Sequence, residues 1–287
     1  FASLLGTLML LAPEERALVR GLIVNKFRGE RALLTDGLRM LEERAEVPVV
    51  GVVPYLHNLA IAEEDGVYLE DLREAARREA SALDIAAIHL PHISNFDDLD
   101  ALQLEPGVRV RWVENADSLG RPAAIVLPGS KNTVDDLAWL RSVGLAGAIV
   151  ERARAGAAVV GICGGYQMLG RTLTDPQGYD GGRAGAVVEG LGLLPVHTVF
   201  YPEKTTYQAR ACVCAAGGWL GAIAGAEVTG YEIHMGDSAG RRPLFTLTQR
   251  GTARLAQPEG AVDDGGRILG TYLHGLFDTP TFRRAWL

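Results

Sequence analysis

The chain has 287 residues, of which 48% are hydrophobic and 22% charged, a composition typical of a globular protein with room for two domains. A net charge of −7 argues against a nucleic-acid-binding surface, although a local basic pocket for an anionic substrate is compatible with it. The three cysteines are odd in number and lack a framework spacing, which indicates a reducing, cytoplasmic environment.

The first residues are apolar but do not predict a membrane anchor. Residues 1–12 lack the basic start of a signal peptide and are too short to span a bilayer. Because the chain begins with Phe1 rather than methionine, we interpret this segment as a buried helix of a domain whose beginning is missing.

The N-terminal part then alternates strands and helices. β-type runs at residues 21–26 and 47–54 flank a segment of helical periodicity at 31–44, and this order predicts a parallel α/β sheet. An amphipathic helix is predicted over 67–83, with a domain boundary near its end. The predicted domains are residues 1–82 and 83–287.

A second α/β series follows and gives way to shorter β segments beyond residue 190. Its strands are predicted at 85–90, 108–113, 123–127 and 157–162, and its helices at 133–141 and 145–155. The later β segments are predicted at 209–215, 227–234, 244–249 and 268–273. Cys212 and Cys214 face one side of such a segment without other clustered ligands, so we favour core packing there and predict no metal site.

A cysteine follows the strand predicted at 157–162, in a turn rich in glycine. Gly161, Gly164 and Gly165 allow the positive φ angles that a sharp strand-to-helix turn needs. Cys163 would lie at a helix N-terminus, where free amides favour a thiolate and stabilise an oxyanion, as in a nucleophile elbow. A small buried cysteine in a glycine-rich turn is the alternative.

A histidine ends the last predicted strand. His274 stands beside Gly275, where a strand end can present an imidazole. A lone histidine is more often structural, but a cysteine at an elbow with a distant histidine is the pattern expected of a thiol nucleophile and its base.

The residues of this turn resemble the nucleophile motif of class I glutamine amidotransferases. The segment Gly-Ile-Cys-Gly-Gly-Tyr-Gln (161–167) matches Gly-x-Cys-x-Gly-x-Gln at all four fixed positions. The resemblance implies a flavodoxin-like α/β domain, with Cys163 as nucleophile, His274 as its base and Gln167 binding L-glutamine. It also implies an oxyanion hole formed by the amide of Gly129 or Ser130 and the amide of Gly164.

Further stretches along the whole chain are similar to the cobyric acid synthase family. They are Asn-Lys-Phe-Arg-Gly (25–29), Leu-Pro-His-Ile-Ser-Asn-Phe (90–96) with Asp98, Leu-Pro-Gly-Ser-Lys-Asn-Thr (127–133), Gly-Tyr-Glu-Ile-His-Met-Gly (230–236) and Gly-Thr-Tyr-Leu-His-Gly-Leu-Phe-Asp (270–278). This resemblance implies glutamine- and ATP-dependent amidation of the carboxylates of adenosylcobyrinic acid a,c-diamide in cobalamin biosynthesis. It implies ATP and Mg²⁺ as cofactors of the complete enzyme, no bound prosthetic group, and no nucleic-acid or membrane partner; a homo-oligomer is left open.

The sequence departs from the family pattern at two points. The family's N-terminal domain resembles dethiobiotin synthetase and carries a P-loop, whereas no Gly-x-x-x-x-Gly-Lys-[Ser/Thr] occurs here, so residues 1–82 are interpreted as the remnant of that domain. Asn25 is either part of an adenine-recognition edge or a strand-capping residue.

The second departure concerns the partner of the histidine. Leu276 occupies the position where most class I amidotransferases have a glutamate, so a backbone carbonyl or another acid must orient His274, or the site works as a dyad. Glu232, on one face of a predicted strand with His234, is left unassigned, since an exposed strand edge or a contact to substrate explains it equally well.

Several other functions share part of this pattern. Cobyrinic acid a,c-diamide synthase and the amidotransferase subunit that acts on cell-wall lipid precursors have the same Cys/His domain, but the stretches at 25–29 and 128–133 favour cobyric acid synthase. A non-catalytic corrinoid-binding or regulatory module would retain the fold, and intact Cys163, Gln167 and His274 argue against it. A cysteine hydrolase without a synthetase partner is disfavoured by residues 1–82.

Overall fold

The computed structural model describes residues 1–55, 83–181, 184–214, 218–240 and 242–287. These residues form two compact units, an N-terminal unit within 1–55 and a C-terminal unit within 83–287. The helix predicted over 67–83 lies almost entirely outside the described residues, and the domain limits at residue 82 stay a prediction.

The N-terminal unit is a two-stranded parallel sheet packed by helices. Leu22 pairs with Val49, and the helix between the strands buries Leu41 and Ala45, which are one turn apart and so share a face. This confirms the predicted strand–helix–strand order. The strands are Leu22–Phe27 and Val49–Pro54, the α-helices Ala2–Leu10, Pro13–Arg16 and Thr35–Ala45, and a 3₁₀ helix covers Arg31–Leu34.

The first helix is less buried than its apolar composition predicts. In Ala2–Leu10 only Leu8 is buried, whereas the neighbouring Leu10 is 89% exposed. A helix that packs against one small layer can bury only one face, so the interpretation as a buried helix holds for Leu8 and is wrong for the rest of this helix.

The C-terminal unit is built on a six-stranded central sheet. Counted in chain order, its five parallel strands lie in the order 2-1-3-4-5, which is the flavodoxin-like arrangement that the resemblance predicts, and a sixth, antiparallel strand lies at the edge beside strand 5. The parallel strands are Leu83–Ile88, Val108–Val113, Ala124–Leu127, Ala158–Ile162 and Ile268–Thr271, and the antiparallel one is Ala261–Val262. All four strands predicted for the second series are therefore present.

The central sheet is buried on both faces, which explains its uninterrupted apolar runs. Along the first strand Ile85 and Ala87 join one hydrophobic cluster, while Ala86 and Ile88 join the other. The α-helices of this unit are Asp100–Gln103, Ala116–Leu119, Thr133–Ser142, Leu145–Arg154, Gly164–Leu169, Trp219–Ala222 and Pro280–Trp286, and the 3₁₀ helices are Phe96–Leu99 and Leu276–Asp278.

A second, mostly antiparallel sheet contains the later β segments. Its strands are Thr172–Asp175, Ala186–Glu189, His197–Val213, Glu227–Ala239, Phe245–Arg250, Ala253–Glu259 and Leu273–His274. The strand predicted at 268–273 is split, because the chain leaves the central sheet after Thr271 and enters the antiparallel sheet at Leu273. No helix in the described ranges is long and apolar enough to cross a bilayer.

Candidate active site

Cys163 follows the fourth parallel strand and occupies a strained turn. Its backbone has φ 52° and ψ −110°, a positive φ that side chains other than glycine rarely adopt. The Cys163 amide donates to the Thr271 carbonyl over 2.8 Å, and the Gln167 amide donates to the Cys163 carbonyl over 3.0 Å. The helix Gly164–Leu169 thus begins directly after the thiol, as in a nucleophile elbow.

The glycines of this turn provide space rather than a special backbone angle. None of Gly161, Gly164 and Gly165 has a positive φ, so the prediction that they supply it is wrong, and Cys163 itself carries the positive φ. A Cβ added to Gly165 would lie only 2.0 Å from the Leu127 carbonyl oxygen. The turn and the third parallel strand therefore pack backbone against backbone.

His274 is fully buried and held by an acid that the motif did not assign. Its Nδ1 lies 2.7 Å from Asp98 Oδ2, and the Gly275 amide donates to Asp98 Oδ1 over 2.7 Å. The imidazole also stacks on Tyr231, with ring centroids 5.1 Å apart. Asp98 thus occupies the place of the missing glutamate, while Leu276 is buried in the hydrophobic core.

The surroundings of His274 favour its charged form. Burial disfavours the imidazolium, but hydrogen bonds and charge interactions with Asp98 and Cys163 outweigh burial and raise the pKa of His274 to about 10. Its Nε2 is buried and has no regular hydrogen-bond partner within the described ranges. The Cys163 thiol is one of the groups that raise this pKa, so the thiol lies within interaction range of the imidazole.

The loop after the third parallel strand pairs with the loop after the first. Gly129–Ser130 lies antiparallel to Ile93–Ser94, and the Lys131 amide donates to the His92 carbonyl over 2.9 Å. This bond makes Ile93 and Ser130 the non-hydrogen-bonded pair of this short two-stranded sheet, whose amides point outward.

The outward amide of Ser130 lies at the nucleophile turn. A Cβ added to Gly164 would be 2.9 Å from the Ser130 nitrogen, so these two backbone segments are in contact beside Cys163. Gly129, in contrast, belongs to the hydrogen-bonded pair and turns its amide toward Ser94. Of the two amides left open by the motif, that of Ser130 is therefore the one that lies at the Cys163 turn.

The side chain of Ser130 is also fixed. Its Oγ donates to Asp136 Oδ2 over 2.6 Å and accepts from the Asn132 amide over 3.0 Å. Asp136 is fully buried and also accepts from the backbone and Nδ1 of His92. These bonds hold residues 128–133 in one conformation.

Gln167 is buried one helical turn after Cys163. Its Oε1 accepts from Thr133 Oγ1 over 3.1 Å, and its Nε2 donates to the Met235 carbonyl over 3.0 Å and to the Tyr272 hydroxyl over 3.2 Å. The amide of Gln167 is therefore held rigidly against the wall of the site.

Comparison with known proteins agrees with this geometry. The profile of the CobB/CobQ-like glutamine amidotransferase domain matches residues 84–282. The chain belongs to this family. A solved structure, PurLQS from Thermotoga maritima, has a TM-score of 0.52 and 16% identity, covering 71% of this chain and 97% of that one. The predicted class I amidotransferase fold is confirmed.

Within this amidotransferase family, the curated relatives that the chain resembles are cobyric acid synthases. The chain is 47% identical to a cobyric acid synthase of Desulforamulus reducens and 48% identical to one of Moorella thermoacetica. The alignments cover 100% and 98% of this chain, but 56% and 54% of those proteins. The predicted similarity to cobyric acid synthases is confirmed, and the chain spans about half the length of the curated relatives it matches.

A cavity of about 220 Å³ opens beside Cys163 and is lined by Cys163, Gln167 and His234 among others. Pockets for drug-sized ligands are commonly about 300–1,000 Å³. This cavity therefore suits a small molecule of amino-acid size.

Glu232 supports the site from inside the protein. It is buried and accepts two hydrogen bonds from Arg250, of 2.7 and 2.9 Å, while His234 Nε2 lies 3.8 Å away. Burial raises the pKa of Glu232, but the interaction with His234 and the hydrogen bonds and charge of Arg250 prevail and lower it. The interpretation as an exposed strand edge is wrong.

Asn25 belongs to the N-terminal unit and makes a local contact. It lies exposed in the strand Leu22–Phe27, and its Oδ1 accepts from the Lys26 amide over 2.8 Å. The amidotransferase residues lie in the other unit, and a nucleotide-binding role for Asn25 stays a prediction.

Glu259 gives the C-terminal unit a pH-dependent stability. It accepts from Thr271 Oγ1 and the Tyr272 amide, yet burial raises its pKa from 4.5 to about 8. Between these pH values the folded chain holds a proton that the unfolded chain has lost, so this group's contribution to stability falls as pH rises from 4.5 to 8. We expect Glu259→Gln to flatten this dependence.

Urea denaturation of wild type and Glu259→Gln at several pH values measures the effect. The difference between the two curves isolates this carboxyl group from the other titrating groups, and Glu189→Gln, at an exposed position, is the matched control. An equal pH dependence in wild type and Glu259→Gln would contradict the assignment.

Proposed function

We propose that this chain hydrolyses L-glutamine at Cys163 and supplies the ammonia for the amidation catalysed by a cobyric acid synthase. The observation that supports this most directly is the buried His274, which is hydrogen-bonded to Asp98 and whose pKa is raised by both Asp98 and the Cys163 thiol. The similarity to cobyric acid synthases directs the ammonia toward cobalamin biosynthesis.

The first half of the reaction forms a thioester. The Cys163 thiolate attacks the carboxamide carbon of glutamine, and the negative charge moves to the carbonyl oxygen. The imidazolium of His274 then gives its Nε2 proton to the departing nitrogen as the C–N bond breaks, which releases ammonia. Asp98 retains the proton on Nδ1 throughout.

The second half regenerates the thiol. Neutral His274 accepts a proton from water as the water attacks the thioester carbon, and the C–S bond breaks with glutamate as the product. The thiolate and the imidazolium are then restored. No oxidant or reductant is needed.

The amides of Ser130 and Gly164 are proposed to stabilise the oxyanion. Gly164 is the first residue of its helix, where an amide has no acceptor within the helix. Gly129 then provides close approach rather than a donor, since a Cβ there would meet His274 Cε1 at 3.2 Å. Gln167 is proposed to hold the bound glutamine.

The acceptor half of the reaction is proposed from the resemblance alone. It is the ATP- and Mg²⁺-dependent amidation of adenosylcobyrinic acid a,c-diamide, with residues 1–82 as part of the synthetase domain, 83–287 as the glutaminase domain and a cytoplasmic location. The sequence contains no P-loop motif, and the described residues contain no group of three or more His, Cys, Asp or Glu side chains placed to hold a metal ion, so by themselves they do not fit a nucleotide or metal site.

Two measurements on the 287-residue chain test the glutaminase. We expect glutamate release from L-glutamine, with Cys163→Ala as the background. We also expect the diazoketone analogue of glutamine to alkylate Cys163, located by peptide mass spectrometry. Absence of both would contradict the proposal and favour a non-catalytic corrinoid-binding or regulatory module.

A further inference from the structure

L-Glutamine carries three groups, and the proposed chemistry uses only its carboxamide. The α-ammonium and α-carboxylate groups are both charged at neutral pH, and a site for free glutamine must accommodate both. Charged side chains beside the cavity are the natural candidates. The wall of the cavity away from the thiol is therefore where recognition of the amino-acid end is expected.

The charged side chains around the cavity are complementary to the charges of a zwitterionic amino acid. Among the described side chains that line it, Asp180 is the one carboxylate, and Lys131 and Lys204 are the cations. One anion and two cations complement one ammonium and one carboxylate, while the neutral carboxamide faces Cys163.

Asp180 is held in place by its own loop. The buried carboxylate of Asp175 accepts the amides of Gly178, Tyr179 and Asp180 over 2.8, 2.8 and 3.0 Å. This closed turn fixes the backbone of the loop, so Asp180 presents its side chain from a defined position. The recognition group is therefore preorganised.

Asp180 is also linked to the wall that carries Gln167. Its Oδ2 accepts from the Val134 amide over 2.8 Å at the start of the helix Thr133–Ser142, and Thr133 bonds to Gln167. Burial raises the pKa of Asp180 to about 6, so the carboxylate remains mostly ionised at neutral pH. The bonds from Val134 and Thr133 do not use all the lone pairs of the two carboxylate oxygens, so Asp180 retains capacity for a cationic ligand.

We infer that Asp180 binds the α-ammonium group of L-glutamine, with Lys131 and Lys204 on the side of the α-carboxylate. This inference rests on the proposed glutaminase activity. The competing role is that of a helix cap through Val134, and this role needs an acceptor atom but no charge.

The test compares two substrates that differ only in the ammonium group, L-glutamine and glutaramic acid. We expect Asp180→Asn to lower kcat/KM for glutamine about 10- to 100-fold, mainly through KM, because a charge-assisted bond is lost while the amide oxygen still accepts from Val134. The value for glutaramic acid should change little, so the preference for glutamine collapses.

Asp135→Asn is the matched control. Asp135 lies in the first turn of the same helix, accepts from Asn132 Nδ2, and does not line the cavity. The variant Asp135→Asn should retain the wild-type preference for glutamine over glutaramic acid. An equal loss on both substrates in Asp180→Asn would identify Asp180 as a cap only and overturn the inference.

Alkylation of Cys163 provides a second measurement that needs no turnover. The ratio of the alkylation rates with the diazoketone analogue of glutamine and with its counterpart lacking the amino group measures the same preference for the ammonium group. A wild-type chain that neither releases glutamate nor is labelled would overturn the glutaminase proposal and this inference together. Labelling with a preference that survives in Asp180→Asn would overturn this inference alone.

Discussion

Replacing Asp98 with asparagine is expected to lower the rate of glutamate release on the order of 10³-fold while leaving the chain folded. Asparagine can keep the bond from the Gly275 amide, but its NH₂ group would then face His274 Nδ1. That nitrogen must become an acceptor, so the remaining proton moves to Nε2 and the neutral ring cannot take a proton from Cys163. The same change of tautomer lowers kcat of serine proteases about 10⁴-fold.

Two readouts separate this effect from a general loss of structure. The pKa of His274 should fall in Asp98→Asn, since the acid that raises it is gone, and the pH profile of Cys163 alkylation should shift accordingly. Asp97→Asn, in the same 3₁₀ helix but without a hydrogen bond to His274, should stay within a few-fold of wild type. Near-normal activity in Asp98→Asn would show that the site works as a dyad.

Replacing Gly165 with alanine is expected to destabilise the C-terminal unit by about 3 kcal/mol or more. The added Cβ would meet the Leu127 oxygen at 2.0 Å and the Pro128 oxygen at 2.8 Å. Both are backbone atoms next to a buried strand, so no flexible side chain can move aside. The elbow or the third strand would have to shift.

Thermal and urea denaturation of the chain measure this loss. Gly147→Ala is the matched control, because Gly147 lies in the helix Leu145–Arg154 with nothing within 4 Å of an added Cβ. Alanine there should stabilise by up to about 1 kcal/mol. Equal stability of Gly165→Ala and wild type would show that the close contact at the turn can relax.

The fold and two members of the site are predictable from local sequence. Apolar, β-branched runs such as residues 157–162 indicate buried parallel strands, and a cysteine in a glycine-rich turn after one of them indicates an elbow. His274 is recognisable because it ends a strand beside glycine. These patterns are formed by residues that are adjacent in the chain, so they can be recognised in a single sequence.

Asp98 is not predictable in the same way. It meets His274 across 176 positions, a contact that no periodicity reports. The family-like stretch at 90–96 extends to Asp98 without giving it a role, and its remaining signal is its place in the loop after the first parallel strand, at the sheet edge where the other strand ends meet. Asp97 and Asp100 share that signal, and only the three-dimensional structure shows which acid faces the imidazole.

The glycines illustrate a different limit. A glycine-rich turn predicts positive φ at glycine, yet the strained residue is Cys163, and Gly165 is needed for the approach of another strand. In a sequence, a glycine that is needed for a positive φ cannot be distinguished from a glycine that is needed because backbone atoms of another segment pack against it.

The chain passes from the central sheet at Thr271 to the antiparallel sheet at Leu273. Glutaminase activity therefore indicates whether the two sheets have docked during folding. The thiol is attached to one sheet and the imidazole to the other, and Cys163 Sγ also lies 3.4 Å from the Ile233 carbonyl oxygen of the antiparallel sheet. A folding intermediate with only one sheet formed would have an unactivated cysteine. Recovery of glutaminase activity during refolding should therefore lag behind recovery of secondary structure and coincide with docking of the two sheets.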